Sequence, residues 1–193
     1  MQDSREVGTY LEIMELIGNR VLLRRWRVED AEALFRYASS EEVGPMAGWP
    51  PHRSVEESRE IIRTIFSAPE TYAIVLRESG EVVGSVGLLA SGAAHSECVA
   101  EGEFELGFWV GRPLWGQGIA TEASQVLLQH CFEELGSRRV WASHYDYNHA
   151  SARVQAKCGF AYHHTETQLH PLSGEAVRVV YNCVEKQKKL QYT

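Results

Sequence analysis

The sequence predicts an α+β fold that forms a single domain, and three observations support this. The 193 residues, 44% of them hydrophobic and 23% charged, suit one globular domain with a full core. Strand-like and helix-like hydrophobic patterns follow one another in the order β-α-α-β-β-β-α-β-α-β-β. One strand leads into a helix through a glycine-bearing turn within residues 104–123, and the other elements are organised around this segment.

The N-terminal part of the chain is predicted to contain one strand and two helices. Residues 1–18 mix charged and apolar side chains and are assigned to an N-terminal extension. A strand is expected over Asn19–Trp26 and a helix over Asp30–Ser39. Residues 44–51 hold too much proline and glycine for regular structure. A second helix is expected over Ser54–Phe66, because its first residues form a capping-box pattern.

Three strands are predicted next. Thr71–Arg77 and Glu81–Leu89 are rich in β-branched residues and flank Glu78-Ser79-Gly80, which indicates a hairpin. A loop rich in Gly, Ala and Ser follows over residues 90–102. The third strand, Phe104–Val110, alternates bulky apolar residues with Glu105, Gly107 and Trp109.

A helix is predicted over Ala120–Leu135, with Gly136 as its stop signal. The turn that precedes it, Trp115–Ala120, has the sequence WGQGIA. A strand that enters a helix through such a turn directs free backbone N–H groups and the positive end of the helix dipole at one place. That arrangement suits a phosphate group.

Three interpretations of this turn compete. A Walker-type loop would need a Lys-Ser/Thr pair after the second glycine, and Ile119-Ala120 stands there instead. A dinucleotide fingerprint would need its third small residue at Thr121, so this interpretation is weak. A tight turn without a ligand stays open on the glycines alone.

The C-terminal part is predicted to hold three more strands and one helix. The strands are expected over Arg138–Tyr145, Ala161–Leu169 and Val177–Glu185. The helix is expected to begin at Asn148 and to end at Gly159, a typical C-cap residue.

Composition argues against several classes of protein. The net charge of -7 argues against a nucleic-acid partner, whose phosphates require Lys and Arg. The four cysteines are far apart and the histidines lack metal-ligand spacing, so we expect neither disulfides nor a metal. No apolar run is long enough to span a membrane, and the N-terminus lacks a signal-peptide layout. We therefore expect a cytoplasmic protein without a membrane partner.

Three local motifs, ELGFWV, GQGIATEA and NHASARVQAKCGF, together with the element order, resemble the GNAT superfamily of acetyl-CoA-dependent N-acetyltransferases. These motifs and GWPPHRSVEES are most similar to its RimJ/RimL-type branch. The resemblance covers nearly all of the chain after Gly18, so the domain is assigned to residues 19–187 and a tail to residues 188–193. It implies a three-layer fold in which helices cover both faces of a mixed, mostly antiparallel sheet. This sheet would be splayed between its fourth and fifth predicted strands, 104–110 and 138–145.

The resemblance implies that the turn binds the pyrophosphate of coenzyme A. The family motif Q/R-x-x-G-x-G/A begins here with Trp115 instead of Gln or Arg, which leaves the backbone N–H groups in place. The pantetheine arm would lie along Phe108–Val110, next to a splay produced by a β-bulge at Gly107. The expected cofactor-binding residues are Phe108, Trp109, Val110, Trp115, Gly116, Gln117, Gly118, Ile119, Ala120, Thr121, Asn148 and Ser151.

The same resemblance implies direct attack of a primary amine on the thioester in a ternary complex. Glu105 is the expected base, with Glu103 or a merely solvated carboxylate as the alternatives. The backbone N–H near Val110 would stabilise the oxyanion. The tyrosine that acts as acid in many members falls on Gln155, so Ser151 is expected near the sulfur, with Tyr145 and Tyr147 as substitutes.

The acceptor is expected to be a protein N-terminus or a small-molecule amine, bound by Trp49, His52 and Glu103. A homodimer through the two C-terminal strands is a further expectation. Two alternatives stay open at this point: a catalytically silent CoA-binding or regulatory module, and a nucleotide-binding protein that uses the same turn.

Overall fold

The fold is built on one eight-stranded sheet. A computed structural model describes residues 15–186. Its strands are β1 Leu16–Ile17, β2 Val21–Arg25, β3 Thr71–Leu76, β4 Val82–Ala90, β5 Phe104–Val110, β6 Arg139–Tyr145, β7 Ala161–Leu169 and β8 Ala176–Glu185. Its helices are α1 Ala31–Ala38, α2 Val55–Thr64, α3 Ile119–Glu133 and α4 His149–Lys157. Short 3-10 turns lie at Val28–Asp30, Pro45–Ala47 and Arg112–Leu114.

The sheet is mixed and mostly antiparallel, as predicted. Its strand order is β1-β2-β3-β4-β5-β6-β8-β7, and only β5 and β6 pair in parallel. Every predicted strand and helix in the described part is present, with bounds shifted by at most a few residues. The sheet begins earlier than expected, because β1 lies in the stretch assigned to the N-terminal extension. Residues 1–14 of that extension and the tail at 188–193 lie outside the described residues.

Helices cover both faces of the sheet and define two hydrophobic cores. On one face, Leu34 of α1 and Ile62 of α2 pack against Ala73 and Val75 of β3. On the other face, α3 buries Leu127 and further apolar residues against β4, β5 and β6, and α4 packs beside it. This three-layer arrangement follows from the alternation of each strand, which sends successive side chains to opposite faces.

The sheet splits between β5 and β6. The two strands pair only through Phe104 with Val140 and Glu105 with Trp141, and beyond these residues they diverge. β5 keeps its ladder to β4 along its whole length, and β6 keeps its ladder to β8. The predicted splay is therefore present at the expected strands.

The β-bulge expected at Gly107 is absent, and that prediction was wrong. β5 pairs with β4 residue by residue from Phe104 to Val110 without a register shift. The splay needs no bulge, because each of the two strands is held by a continuous ladder on its other side. A Cβ atom at Gly107 would meet no other atom within 4 Å, so the glycine leaves open space there.

The C-terminal hairpin places β8 inside the sheet. β8 pairs with both β6 and β7, so only β7 has a free edge within residues 161–185. A homodimer that used both C-terminal strands is not compatible with this order, whereas one through β7 stays a prediction.

Among the described residues, no helix is long and apolar enough to cross a membrane.

Gly84 of β4 and Gly107 of β5 should differ in their response to substitution by alanine. A Cβ atom at Gly84 would lie 2.2 Å from the backbone oxygen of Trp109. We expect Gly84→Ala to lower the free energy of unfolding by about 1–3 kcal/mol, because the ladder must shift. Gly107→Ala should change it by less than about 1 kcal/mol. Urea unfolding of both variants tests this, and equal stabilities would contradict the packing described here.

Candidate active site

The split between β5 and β6 opens into a cleft of about 320 Å³. Its walls come from β5, β6, the start of α3, α4 and the loop between α1 and α2. The predicted site residues that line it are Glu105, Phe108, Trp109, Val110, Trp115, Gly116, Gly118, Ile119, Ala120, Thr121, Asn148 and Ser151. Most of the predicted cofactor-binding set is thus brought together at one place.

The turn before α3 presents a row of free backbone N–H groups. Gly116 and Gly118 have φ angles of 77° and 80°, in the left-handed region that favours glycine. Within the described residues, none of the N–H groups from 116 to 121 donates a hydrogen bond. No side chain caps α3 at Gly118 either. These donors and the helix dipole give the turn the chemistry that suits an anion.

Arg20, which immediately precedes β2, contacts this turn. Its Nη1 donates to the backbone oxygen of Gln117 at 2.9 Å, and its Nε lies 2.8 Å from Oε2 of Glu122. Gln117 itself is the one turn residue that does not line the cleft. Arg20 was not identified from the sequence, because only the fold brings β2 beside α3.

Trp115, the departure from the family motif, packs inward. Its Nε1 donates to the backbone oxygen of Val110 at 2.9 Å, and the Arg112 guanidinium lies 4.8 Å from its ring centre. The indole thus satisfies a carbonyl at the end of β5. It lines the cleft without closing it.

The edge of β5 that faces the split carries free backbone groups. Gly111 donates its N–H to Val83 of β4. Antiparallel ladders alternate, so the N–H and C=O groups of Phe108 and the N–H of Val110 point away from β4 and towards the split, whereas the Val110 oxygen is taken by Trp115. A ligand with amide groups can pair with them as a neighbouring strand would.

α4 supplies the other wall. Asn148 caps the helix by accepting from the Ser151 N–H at 3.0 Å, and its Nδ2 donates to the Met46 oxygen at 3.0 Å. One N–H and one acceptor position of this amide remain for a ligand. Gln155 is 1% exposed; its Nε2 donates to Ser151 Oγ, at 3.2 Å, and to the Ser143 oxygen. Ser151 therefore accepts from Gln155 and keeps its own O–H free.

Two cations of α4, Arg153 and Lys157, also line the cleft. Sequence analysis did not identify them. Their spacing of four residues within the helix capped by Asn148 could have indicated that both lie on one side of α4, because residues four apart share one face of a helix.

Glu105 lies at the point where the strands part, and it is 2% exposed. Its Oε2 accepts from the N–H groups of His95 and Ser96 at 2.6 and 3.2 Å, and its Oε1 accepts from Ser143 Oγ at 2.7 Å. Burial alone would raise the pKa of this carboxyl, but the hydrogen bonds from His95 and Ser143 and the charge of His95 lower it overall. A carboxylate with a lowered pKa is a weak base.

His95 was missed by sequence analysis. It lies in the loop after β4, which has no periodic pattern, yet its ring lines the cleft. Its Nδ1 lies 3.6 Å from Oε2 of Glu105. The interaction with this carboxylate raises the pKa of the imidazole.

The three predicted acceptor-binding residues, Trp49, His52 and Glu103, do not line this cleft, and their role in acceptor binding stays a prediction. Glu103 accepts from Trp141 Nε1 at 2.7 Å, so its carboxylate is held against β6. His52 is 8% exposed and its Nδ1 lies 2.8 Å from Ser58 Oγ, while burial lowers its pKa. Trp49 packs against His52 and the edge of Trp109.

In the described part of the chain, no group of three or more His, Cys, Asp or Glu residues is arranged to hold a metal ion.

The family model described as an acetyltransferase (GNAT) domain matches residues 20–161. The chain belongs to this family. It is 30% identical over 132 residues to "Uncharacterized N-acetyltransferase p20" of Bacillus licheniformis, covering 66% of this chain and 71% of that protein. It is 28% identical over 147 residues to "Uncharacterized N-acetyltransferase YoaA" of Bacillus subtilis, covering 74% of this chain and 80% of that protein. The protein is therefore an acyltransferase of the GNAT family.

Solved structures share the GNAT fold described above. An acetyltransferase (GNAT family) from Bacillus anthracis superposes with a TM-score of 0.75 at 22% identity, over 89% of this chain and 98% of that chain. A ribosomal-protein-S5-alanine acetyltransferase from Vibrio fischeri superposes with a TM-score of 0.69 at 16% identity, over 89% of this chain and 96% of that chain.

The lowered pKa of Glu105 predicts a specific loss of stability in acid. Its contribution is fully present above the unfolded pKa, near 4.5, and is lost as the pH falls through the lower folded pKa. We expect the stability difference between the wild type and Glu105→Gln to shrink steadily below about pH 4.5. Urea unfolding across this range measures it. The exposed control Glu101→Gln should follow the wild type, and a constant difference for Glu105→Gln would contradict the assignment.

Proposed function

We propose that this GNAT enzyme transfers the acetyl group of acetyl-CoA to a primary amine by direct attack in a ternary complex. The observation that carries the proposal is the cleft at the split, where free N–H groups of the turn and free backbone groups of β5 line one continuous space. GNAT acetyltransferases use acetyl-CoA, and this cleft offers donors that match both its phosphates and its amide-bearing arm.

The residues present fit this cosubstrate. The N–H groups from 116 to 121 would hold the pyrophosphate, and Arg153 and Lys157 add positive charge on the same side. Phe108 would pair with the amides of the pantetheine arm, and Asn148 has hydrogen-bonding capacity left for it. An ATP-binding protein would need the missing Walker lysine, which makes nucleotide binding the weaker candidate.

Acetyl-CoA supplies an activated acyl group as a thioester. The chain would contribute the Val110 N–H, which points towards the split, to stabilise negative charge on the carbonyl oxygen. Ser151 keeps its O–H free because its oxygen accepts from Gln155, so it is the group that would donate to the departing thiolate. Cys158 takes no covalent part, because burial raises its pKa to about 11.

The acceptor would enter on the face of the sheet that carries α1 and α2, where Glu105, Tyr145, Gln168 and Tyr181 line the cleft. We infer a primary amine of a protein N-terminus or a small molecule. The sequence motifs favour the RimJ/RimL-type branch, and the fold shared with the Vibrio fischeri acetyltransferase is consistent with it. A homodimer through the free edge of β7 is compatible with this assignment.

Ligand-induced stabilisation tests the cosubstrate first. The melting temperature should rise with acetyl-CoA and CoA but not with ATP or NAD, because only a ligand that binds the folded state stabilises it. CoA release with a panel of primary amines then tests turnover. Binding without turnover of any amine would favour the catalytically silent module, and no response to CoA would refute the proposal.

A matched pair of glycine variants tests the turn itself. Gly116 and Gly136 have φ angles of 77° and 71°, and a Cβ atom would meet nothing within 4 Å at either position. Leucine should therefore cost each variant similar strain, about 1–2 kcal/mol of stability. Only Gly116→Leu places a side chain in the cleft, so it alone should lose CoA affinity, by at least about tenfold. Calorimetric titration with CoA measures this, and equal affinity in the two variants would contradict the phosphate assignment.

A further inference from the structure

We propose that His95 accepts the proton of the acceptor amine, and that Glu105 and Ser143 are positioning residues that hold its ring at the cleft. This inference rests on the proposed N-acetyltransferase function and assigns a catalytic residue to it. It replaces the expectation, drawn from the sequence, that Glu105 itself is the base.

Glu105 is poorly placed to receive a proton. Its side chain is 3% exposed, and three hydrogen bonds already reach its two oxygens. Each of these donors favours the ionised carboxylate, which is why its pKa is lowered despite burial. A group that holds its charge so firmly has little tendency to take up another proton.

His95 has the opposite properties. Its side chain is 73% exposed and lines the same cleft as Glu105, so an amine in the cleft can reach it. Glu105 raises the pKa of the imidazole above its ordinary value of 6.5. A base is most effective when its pKa lies near the working pH, and an α-amino group has a pKa of about 7.7–8.0. The raised pKa of His95 therefore favours proton transfer from such an amine, relative to an unperturbed imidazole.

The geometry also selects the ring nitrogen. Nδ1 lies 3.6 Å from Oε2 of Glu105, so the carboxylate charge favours the tautomer with its proton on Nδ1, which leaves Nε2 to accept a proton. The same carboxylate oxygen binds the backbone N–H of His95, and Oε1 binds Ser143 Oγ on β6. β5 and β6 thereby hold the backbone of His95 beside the carboxylate.

The proton balance of the step is simple. The acceptor ammonium gives one proton to Nε2 of His95, the free amine forms a C–N bond to the acetyl carbon, and the C–S bond breaks. The amine nitrogen loses a second proton as the amide forms, and the CoA thiolate takes up one proton. His95 releases its proton to solvent through its exposed edge, so one proton is liberated for each amide formed.

Other titratable groups line the same cleft and must be separated from His95. His144 of β6 lies towards α4, where its Nδ1 is 3.2 Å from Gln155 Oε1, and burial lowers its pKa. Tyr145 of β6 and Tyr181 of β8 have pKa values raised by burial, so both are neutral at physiological pH. His144 is therefore the competing base, and its variant is an arm of the test.

The test is the pH dependence of kcat/KM for an amine that the wild type acetylates. The wild type should show an ascending limb that reports the pKa of His95. His95→Gln should lose about 10²–10⁴-fold in kcat/KM together with that limb, while its affinity for acetyl-CoA is retained. In Glu105→Gln the limb should move to lower pH, because loss of the carboxylate charge lowers the pKa of His95. Glutamine can keep the loop in place, since its oxygen accepts the two N–H groups and its NH₂ donates to Ser143.

Two further variants and one spectroscopic measurement complete the design. His163→Gln, an exposed histidine outside the cleft, should leave the profile unchanged. An NMR titration of His95 in the free enzyme should show its pKa fall in Glu105→Gln. The inference is overturned if His95→Gln keeps the ascending limb, if the limb disappears in His144→Gln instead, or if the pKa of His95 does not respond to Glu105→Gln. Failure of acetyl-CoA binding in the wild type would instead refute the proposed function.

Discussion

The parting of β5 and β6 after Glu105 is the constraint on which the cleft depends. A buried backbone donor or acceptor without a partner costs about 1–3 kcal/mol, so a sheet rarely gives up a ladder in its centre. The cost is limited here because each strand keeps the ladder on its other side. Trp115 also satisfies the Val110 oxygen at the open end. The groups that remain free face a cleft, where water or a ligand can bind them.

Glu105 links this split to the chemistry we propose. It is the last residue of β5 that pairs with β6, and its Oε1 binds Ser143 two residues further along β6. The carboxylate therefore joins the two strands at the vertex of the split, and its other oxygen anchors the loop that carries His95. The same buried charge that stabilises the vertex in this way also orients the proposed base.

The sequence predicted the elements well and the contacts between loops poorly. Strands and helices such as β5 and α3 follow from periodic patterns that are local in the chain, and the split followed from the family resemblance. The bulge at Gly107 was wrong, because two intact ladders already explain the divergence. The burial of His52 against Ser58 and the pairing of His95 with Glu105 depend on loops without periodicity. No local pattern encodes which side of the sheet such a loop covers.

The distribution of charge across the split explains how one cleft can receive two different molecules. Arg153, Lys157 and the free N–H groups before α3 make the side next to α3 and α4 positive. On the opposite face, the ionised Glu105 lies beneath His95, and no Lys or Arg lines the cleft on that side within the described residues. Phosphates are attracted to the first side and an ammonium group to the second. The acyl carbon and the amine then meet at the split, and the one proton acceptor exposed beside the carboxylate lies on the side from which the amine arrives.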